Sequence, residues 1–276
     1  MNIEQPKKYI DIRDVIKKKN PKLLKWIPNA LTSFLERLVH IDDINIIMTR
    51  YADKRGLEFV DGLIEYLGAS VTLVGQENIP LEDSVIFASN HPLGGLDGVA
   101  FMYAIGKHRQ DVKFLVNDIL MNVENLQPLF VPVNKVGGQG RSQAMAIQQA
   151  YAAKEALLVF PAGLVSRKQS HGVMDLQWQK SFINKAKKYK KDVVPVYIEG
   201  ENSNFFYNLS RWRRKLGIKT NLEMLVLPHE MFSARNKNII IRIGKPISYT
   251  YFDKSKEEST WAEEVKQLVY SMAPEK

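Results

Sequence analysis

The stretch that decides the fold is SVIFASNHPLGGLDGVAFMYAIGKH, residues 84–108. Its first half reads as a buried strand, its second half (96–108) as an apolar helix, and a polar turn with Gly94 and Gly95 joins them. His91 ends the strand and Asp97 falls in the first turn of the helix. Ligand sites in α/β proteins gather outside the carboxyl ends of strands, which makes this junction the first place to look for chemistry. Two readings stand. In one, the glycines bring the side chains together, Asp97 fixes the imidazole tautomer and His91 takes a proton from a hydroxyl. In the other, Asp97 only complements the helix N-terminus and His91 is an ordinary turn residue.

Working outward, six more apolar runs have strand character: SVTLVGQENI (70–79), VKFLVN (112–117), LFVPVN (129–134), ALLVFPAG (156–163), VVPVYIEG (193–200) and NIIIRIGKPI (238–247). Helical stretches at 141–154, 175–190 and 259–272 alternate with them. Runs of this kind predict an α/β fold with a mainly parallel or mixed central sheet flanked by helices. Residues 1–65 are expected to form an N-terminal helical subdomain, and residues 66–276 the α/β domain. In SFLERLVHIDDINIIM (33–48), Phe34, Leu38, Ile41, Ile44 and Met48 recur at helical spacing. The segment before it interleaves Lys17, Lys18, Lys19, Lys22 and Lys25 with Leu23, Leu24, Trp26 and Ile27, which suits either a membrane interface or a helix with a solvated basic face. The region 202–221 reads as an aromatic and basic surface loop. Its Arg211, Arg213 and Arg214 beside Phe205, Phe206, Tyr207 and Trp212 face a membrane, an acyl carrier or only solvent.

Composition narrows the classes. The 276 residues are 45% hydrophobic, which supports a sizeable core and excludes global disorder. With no cysteine there are no disulfides, thiol nucleophiles or cysteine-bound metals, in keeping with a reducing compartment. The net charge of +9 favours anionic partners. No signal-peptide pattern opens the sequence. The longest apolar run, ALLVFPAGLV, is far short of the roughly 20 residues of a spanning helix.

Three further stretches bear on the site. LFVPVNKVGGQGRS (129–142) ends a strand in a glycine-rich loop with Lys135 and Arg141. It lacks the P-loop spacing, but free amides and cations there suit an anion. LVFPAGLVSRK (158–168) ends a strand in Gly163, Ser166 and Arg167. VVPVYIEG holds a proline, which implies a bulge, an edge or a strand start. Among the other histidines, His40, His108 and His229 read as surface or helix-end groups, and His171 is a weak candidate for lining an acceptor site.

In this order NHPLGGLD (90–97), FVPVNK (130–135), FPAGLVSR (160–167) and VVPVYI (193–198) resemble the four sequence blocks of the lysophospholipid and glycerol-phosphate acyltransferase superfamily. The likeness covers roughly residues 70–250 and is nearest to a hemolysin-like bacterial branch that includes O-acyltransferases of ornithine and glycine lipids. The resemblance implies His91 as general base, Asp97 as its orienting carboxylate, and Lys135, Arg141, Gly163, Ser166 and Arg167 around the acceptor or its anionic group. A backbone N–H near Gly163 would face the oxyanion. The acyl donor would be a thioester of acyl carrier protein or coenzyme A, with no metal or other cofactor. The acceptor would be a lyso-lipid hydroxyl, on a lyso amino-acid lipid or a lysophospholipid. The protein would sit on the anionic inner face of the cell membrane, cytoplasmic and peripheral, with no nucleic-acid partner. This sequence departs from the family pattern in four places, one of them Lys135 at the second-block arginine. Five residues separate His91 from Asp97 where the family has four, and one residue turns a helical position by about 100°. Ala162 stands at the family's glutamate. Val165 stands at the arginine that helps bind an acceptor phosphate. The competing expectation is a non-catalytic module on the same fold that binds anionic lipid or nucleic acid.

Overall fold

The computed structural model describes residues 28–133 and 141–274, so the expectations on 1–27 and on Lys135 lie outside the described residues. Helices α1 (Asn29–Leu38) and α2 (Ile41–Arg50) replace the single helix expected over 33–48. They part at His40, whose φ of 54° cannot continue a right-handed helix. Helix α3 (Gly56–Leu67) crosses the expected boundary at 65, and its Phe59, Val60, Leu63 and Ile64 join the same core as the sheet.

All seven expected runs become strands of one sheet: β1 (Ser70–Val74), β2 (Val85–Ser89), β3 (Val112–Val116), β4 (Phe130–Pro132), β5 (Ala156–Val159), β8 (Asp192–Ile198) and β9 (Asn238–Ile243). A small antiparallel hairpin, β6 (Arg167–Gln169) and β7 (Gly172–Met174), was not legible in the sequence. The sheet order is β1-β9-β8-β2-β5-β3-β4. Every pairing is parallel except β8 with β9, so the sheet is mixed. β2 and β5 are buried at every residue, the continuous apolar run of a strand covered on both faces.

The two faces have separate cores. Phe87, Leu158 and Phe114 point to the side of α3 and α4 (Gly95–Gly106). Ile86, Ala88, Leu157 and Val159 point to the side of α6 (Ser181–Tyr189) and α9 (Glu258–Ser271), next to α5 (Arg141–Ala152). After β2 the chain crosses over α4 to β3 on one side of the sheet, and after β5 it crosses over α6 to β8 on the other. The ends of β2 and β5, adjacent strands, therefore open a crevice where the strand order reverses.

Pro195 lies inside β8, a central strand. Its carbonyl accepts from the Gly244 N–H at 2.8 Å, so the side on which it lacks a donor faces the β9 chain. Pairing with β9 stops at Ile243, and the chain swings around the proline before rejoining at Ile247. A Cβ on Gly244 would lie 2.7 Å from the Pro195 ring, so only glycine fits there. The strand tolerates its proline because the partner bulges away.

Two helical expectations changed. The stretch 202–221 holds helix α7 (Asn204–Lys215), started by Ser203, whose hydroxyl accepts from the Phe206 N–H; α8 (Leu227–Ser233) follows. The helix expected over 175–190 begins only at Ser181, because Asp175 and Trp178 are held in a polar knot below the crevice.

Asn90, buried at the end of β2, closes the sheet beneath the site. Its amide donates to the Ile198 carbonyl at 2.9 Å and accepts from the Ile198 N–H at 2.7 Å. Replacing Asn90 with Ala leaves both backbone groups of Ile198 orphaned. A loss of about 2–4 kcal/mol is expected in urea unfolding.

Candidate active site

β2 delivers His91 to the crevice and α4 delivers Asp97. The His91 Nδ1 lies 3.0 Å from both carboxylate oxygens of Asp97. Asp97 is fully buried, while His91 keeps 17% of its side chain exposed. An ionised carboxylate only accepts, so Nδ1 carries the proton and the Nε2 lone pair is left as the base. Among the described residues nothing bonds Nε2. Asp97 also closes the turn ahead of the helix, since its Oδ2 accepts from the Leu93 N–H at 2.7 Å, and it sits in the first turn of α4, where the helix N-terminus favours a carboxylate.

The extra residue between His91 and Asp97 is taken up before the helix begins. Gly94 has φ 75° and ψ −118°, a conformation closed to side chains, and α4 starts at the next residue. A Cβ at Gly94 would also meet Leu227 at 2.8 Å. The insertion thus lengthens the turn instead of rotating Asp97 around the helix.

The imidazole is held from its flat side as well. Phe160, first residue after β5, stacks on it with centroids 4.0 Å apart and planes 14° from parallel. The parallel register of Ala88 with Val159 brings the two strand ends side by side. Phe160 also packs on Phe101 and Phe114 of the core.

A second buried carboxylate, Asp175, fixes the backbone under the histidine. Its Oδ1 accepts from the His91 N–H at 3.2 Å and from the Ser166 hydroxyl at 2.5 Å; its Oδ2 accepts from the Trp178 indole at 2.9 Å. The Ser166 N–H donates to the His91 carbonyl at 2.7 Å. The Asp175 N–H reaches the Tyr270 hydroxyl of α9 at 2.7 Å. Burial raises the Asp175 carboxyl above its ordinary value, against the opposing pull of Ser166, Trp178 and His91. Burial likewise raises the Tyr270 phenol.

The remaining expected residues divide. Ser166 is buried and already engaged by Asp175. Arg167 is buried, donates to Glu223 at 2.9 Å and lies over the Phe206 ring. Burial lowers its guanidinium, opposed by Glu223. Burial pushes the Glu223 carboxyl up, but backbone hydrogen bonding, Arg213 and Arg167 outweigh it and hold it below its usual range. The expectation that Ser166 and Arg167 touch an acceptor therefore meets two side chains with partners of their own. Gly163 turns at φ 63°, and its own N–H is bonded to the Phe160 carbonyl at 2.9 Å, so it is not a free oxyanion donor. Arg141 opens α5. His171 is exposed at the β6–β7 turn. His40 and His229 bond each other at 3.1 Å, between the start of α2 and α8.

Sequence reasoning missed Asp175, Trp178, Tyr270, Asn90 and Glu223. Only Glu223 left a trace, as the sole acid between Glu201 and Glu230.

Fold and site define an α/β protein that presents a histidine–carboxylate pair at the strand ends. The chain belongs to the acyltransferase family: the family model described as Acyltransferase matches residues 14–273. It is similar to the lyso-glycine lipid O-acyltransferase of Bacteroides thetaiotaomicron, 45% identical over 264 residues that cover 95% of this chain and 97% of the relative. It is 43% identical to the lyso-glycine lipid O-acyltransferase of Phocaeicola vulgatus over 264 residues, 95% of each. Among solved structures, the 1-acyl-sn-glycerophosphate (LPA) acyltransferase PlsC from Thermotoga maritima matches with a TM-score of 0.51 at 19% identity, covering 88% of this chain and 97% of that one, a likeness of fold.

Gly94→Ala is expected to destabilise the protein by about 1–3 kcal/mol, from backbone strain and the Leu227 contact. It is also expected to lower turnover, because Asp97 moves with the start of α4. Urea melts and initial rates check both effects.

Proposed function

We propose that this acyltransferase is a lyso-lipid O-acyltransferase, peripheral on an anionic membrane, whose acceptor is a lyso amino-acid lipid of the glycine type. The observation that carries the reading is the His91–Asp97 pair at 3.0 Å, with Nε2 free among the described residues. Relatives named lyso-glycine lipid O-acyltransferases, at 43–45% identity over nearly the whole chain, support the acceptor class.

Nε2 of His91 takes the proton of the acceptor hydroxyl as its oxygen attacks the thioester carbonyl of an acyl carrier protein or coenzyme A donor. Asp97 holds the imidazole in the required tautomer and stabilises the imidazolium. The tetrahedral adduct collapses to the ester and expels the thiolate, which recovers the proton from His91 and leaves as thiol. Atoms and charge balance without a metal or redox partner. Lys135 and Arg141 are assigned to the anionic group of acceptor or donor. Phe160 fixes the imidazole plane, and Ser166 and Arg167 hold the turn beneath it.

His91→Ala should lower transfer by about 10²–10⁴-fold with the fold intact, and Asp97→Asn should fall in the same range. The assay offers acyl carrier protein and coenzyme A thioesters to an N-acylated glycine acceptor bearing a hydroxyl and to lysophosphatidic acid, with products identified by mass. Product from lysophosphatidic acid alone would overturn the acceptor class, and full turnover by the His91 variant would remove the base. No transfer to any acceptor would revive the non-catalytic binding module.

A further inference from the structure

Helix α7 has two apolar faces, and the described residues cover only one. Phe206 and Tyr207 are buried with Val165 and Leu227. On the opposite side Phe205, Leu209, Trp212 and Leu216 recur at intervals of four, three and four, which is one stripe along an α-helix. Phe205 is 55% exposed, Trp212 67% and Leu216 73%. The following turn adds Ile218, Leu222 and Leu225, also exposed. Single exposed apolar side chains are ordinary on a protein surface, but a contiguous group of this kind marks a contact.

The same segment is strongly cationic. Between Glu201 and Glu223 the sequence has Arg211, Arg213, Arg214, Lys215 and Lys219 and no acid. Glu223 itself is buried on Arg167 and Arg213, so it does not offset the exposed Arg211, Arg214, Lys215 and Lys219. Arg213 also donates to the Ile218 carbonyl at 2.7 Å, tying the apolar turn back to the helix.

We propose that the outward face of α7 and the turn after it, residues 205–225, is the surface by which this protein docks on an anionic membrane. An acidic carrier protein would complement the cations, but exposed apolar side chains that run along α7 and on to Leu225 with cations beside them fit an amphipathic face at a bilayer interface better. A membrane interface accepts both, with the ring and aliphatic tips among the acyl chains and the cations at the headgroups. The patch is built onto the histidine turn. Asn202, just before α7, donates to the Pro92 carbonyl at 3.0 Å, and Leu227, just after the patch, packs over Gly94. Docking here places the crevice beside the lipid surface. The inference rests on the reading of the acceptor as a lipid.

Cosedimentation with vesicles of equimolar phosphatidylcholine and phosphatidylglycerol tests it. The full chain should bind, more weakly as salt rises. Phe205→Ser/Trp212→Ser/Leu216→Ser should weaken binding by about tenfold or more. Arg211→Glu/Arg214→Glu/Lys215→Glu should abolish the preference for the anionic lipid. All six side chains are exposed, so thermal melts and turnover on a short-chain acceptor below its micellar concentration should be unchanged. Undiminished vesicle binding by both variants would overturn the surface and leave the lipid acceptor standing. Failure of the wild type to bind would overturn both the surface and the membrane reading. Intact vesicle binding with a raised KM for the acyl carrier thioester would assign the patch to the carrier protein. Lost binding in a chain that turns over no lyso-lipid would keep the surface and remove the acceptor.

Discussion

The Asp97 carboxylate is the constraint around which the crevice is organised. It is fully buried, and a buried charge persists only where hydrogen bonds replace its water. Three features supply that replacement: the His91 ring N–H, the Leu93 N–H and the N-terminus of α4. All three require the turn at residues 91–94 to fold back over the start of the helix, and Gly94 alone supplies the backbone angle that allows it. Closing the turn ahead of the helix and orienting the imidazole are therefore one interaction. The chain cannot lose the second without unsettling the first.

Two further buried carboxylates extend this scaffold outward from the strand ends. Asp175 joins the His91 backbone to Ser166, Trp178 and Tyr270, which lie on four separate parts of the chain. Glu223 joins Arg167, the last residue of the third block, to Arg213 of α7. Buried ion pairs contribute little net stability, since desolvation offsets attraction, but breaking one is costly. Here they fix geometry. They lock irregular turns, which have no ladder of backbone hydrogen bonds, against elements that do.

The sheet was legible because its central strands β2 and β5 are buried on both faces and so appear as unbroken apolar runs, while β1, β3 and β9 alternate. The hairpin β6–β7 was not, because Arg167–Gln169 and Gly172–Met174 are too short and too polar to show a period. Helix α7 looked like a loop because its sequence has apolar residues on two faces, which blurs the single stripe expected of a packed helix. His91 and Asp97 could be paired from their place at a strand end. The roles of Ser166 and Arg167 could not, since their partners Asp175 and Glu223 arrive from later segments that carry no local signature.

The same knots bear on what the acceptor carries. In the family pattern an arginine at the position of Val165 helps to hold an acceptor phosphate. Here Val165 is 1% exposed and packs with Phe206, Tyr207 and Leu227. A guanidinium placed there would be buried in an apolar cluster with no partner, at a cost the fold would not bear. Arg167, the next cation along, is already paired with Glu223 and capped by Phe206. Ala162, at the family's glutamate, is buried as well. The turn that would grip a dianionic phosphate has been rebuilt as packing. That packing leaves the His91–Asp97 pair in place, and under the proposed function it agrees with an acceptor whose anion is a single carboxylate.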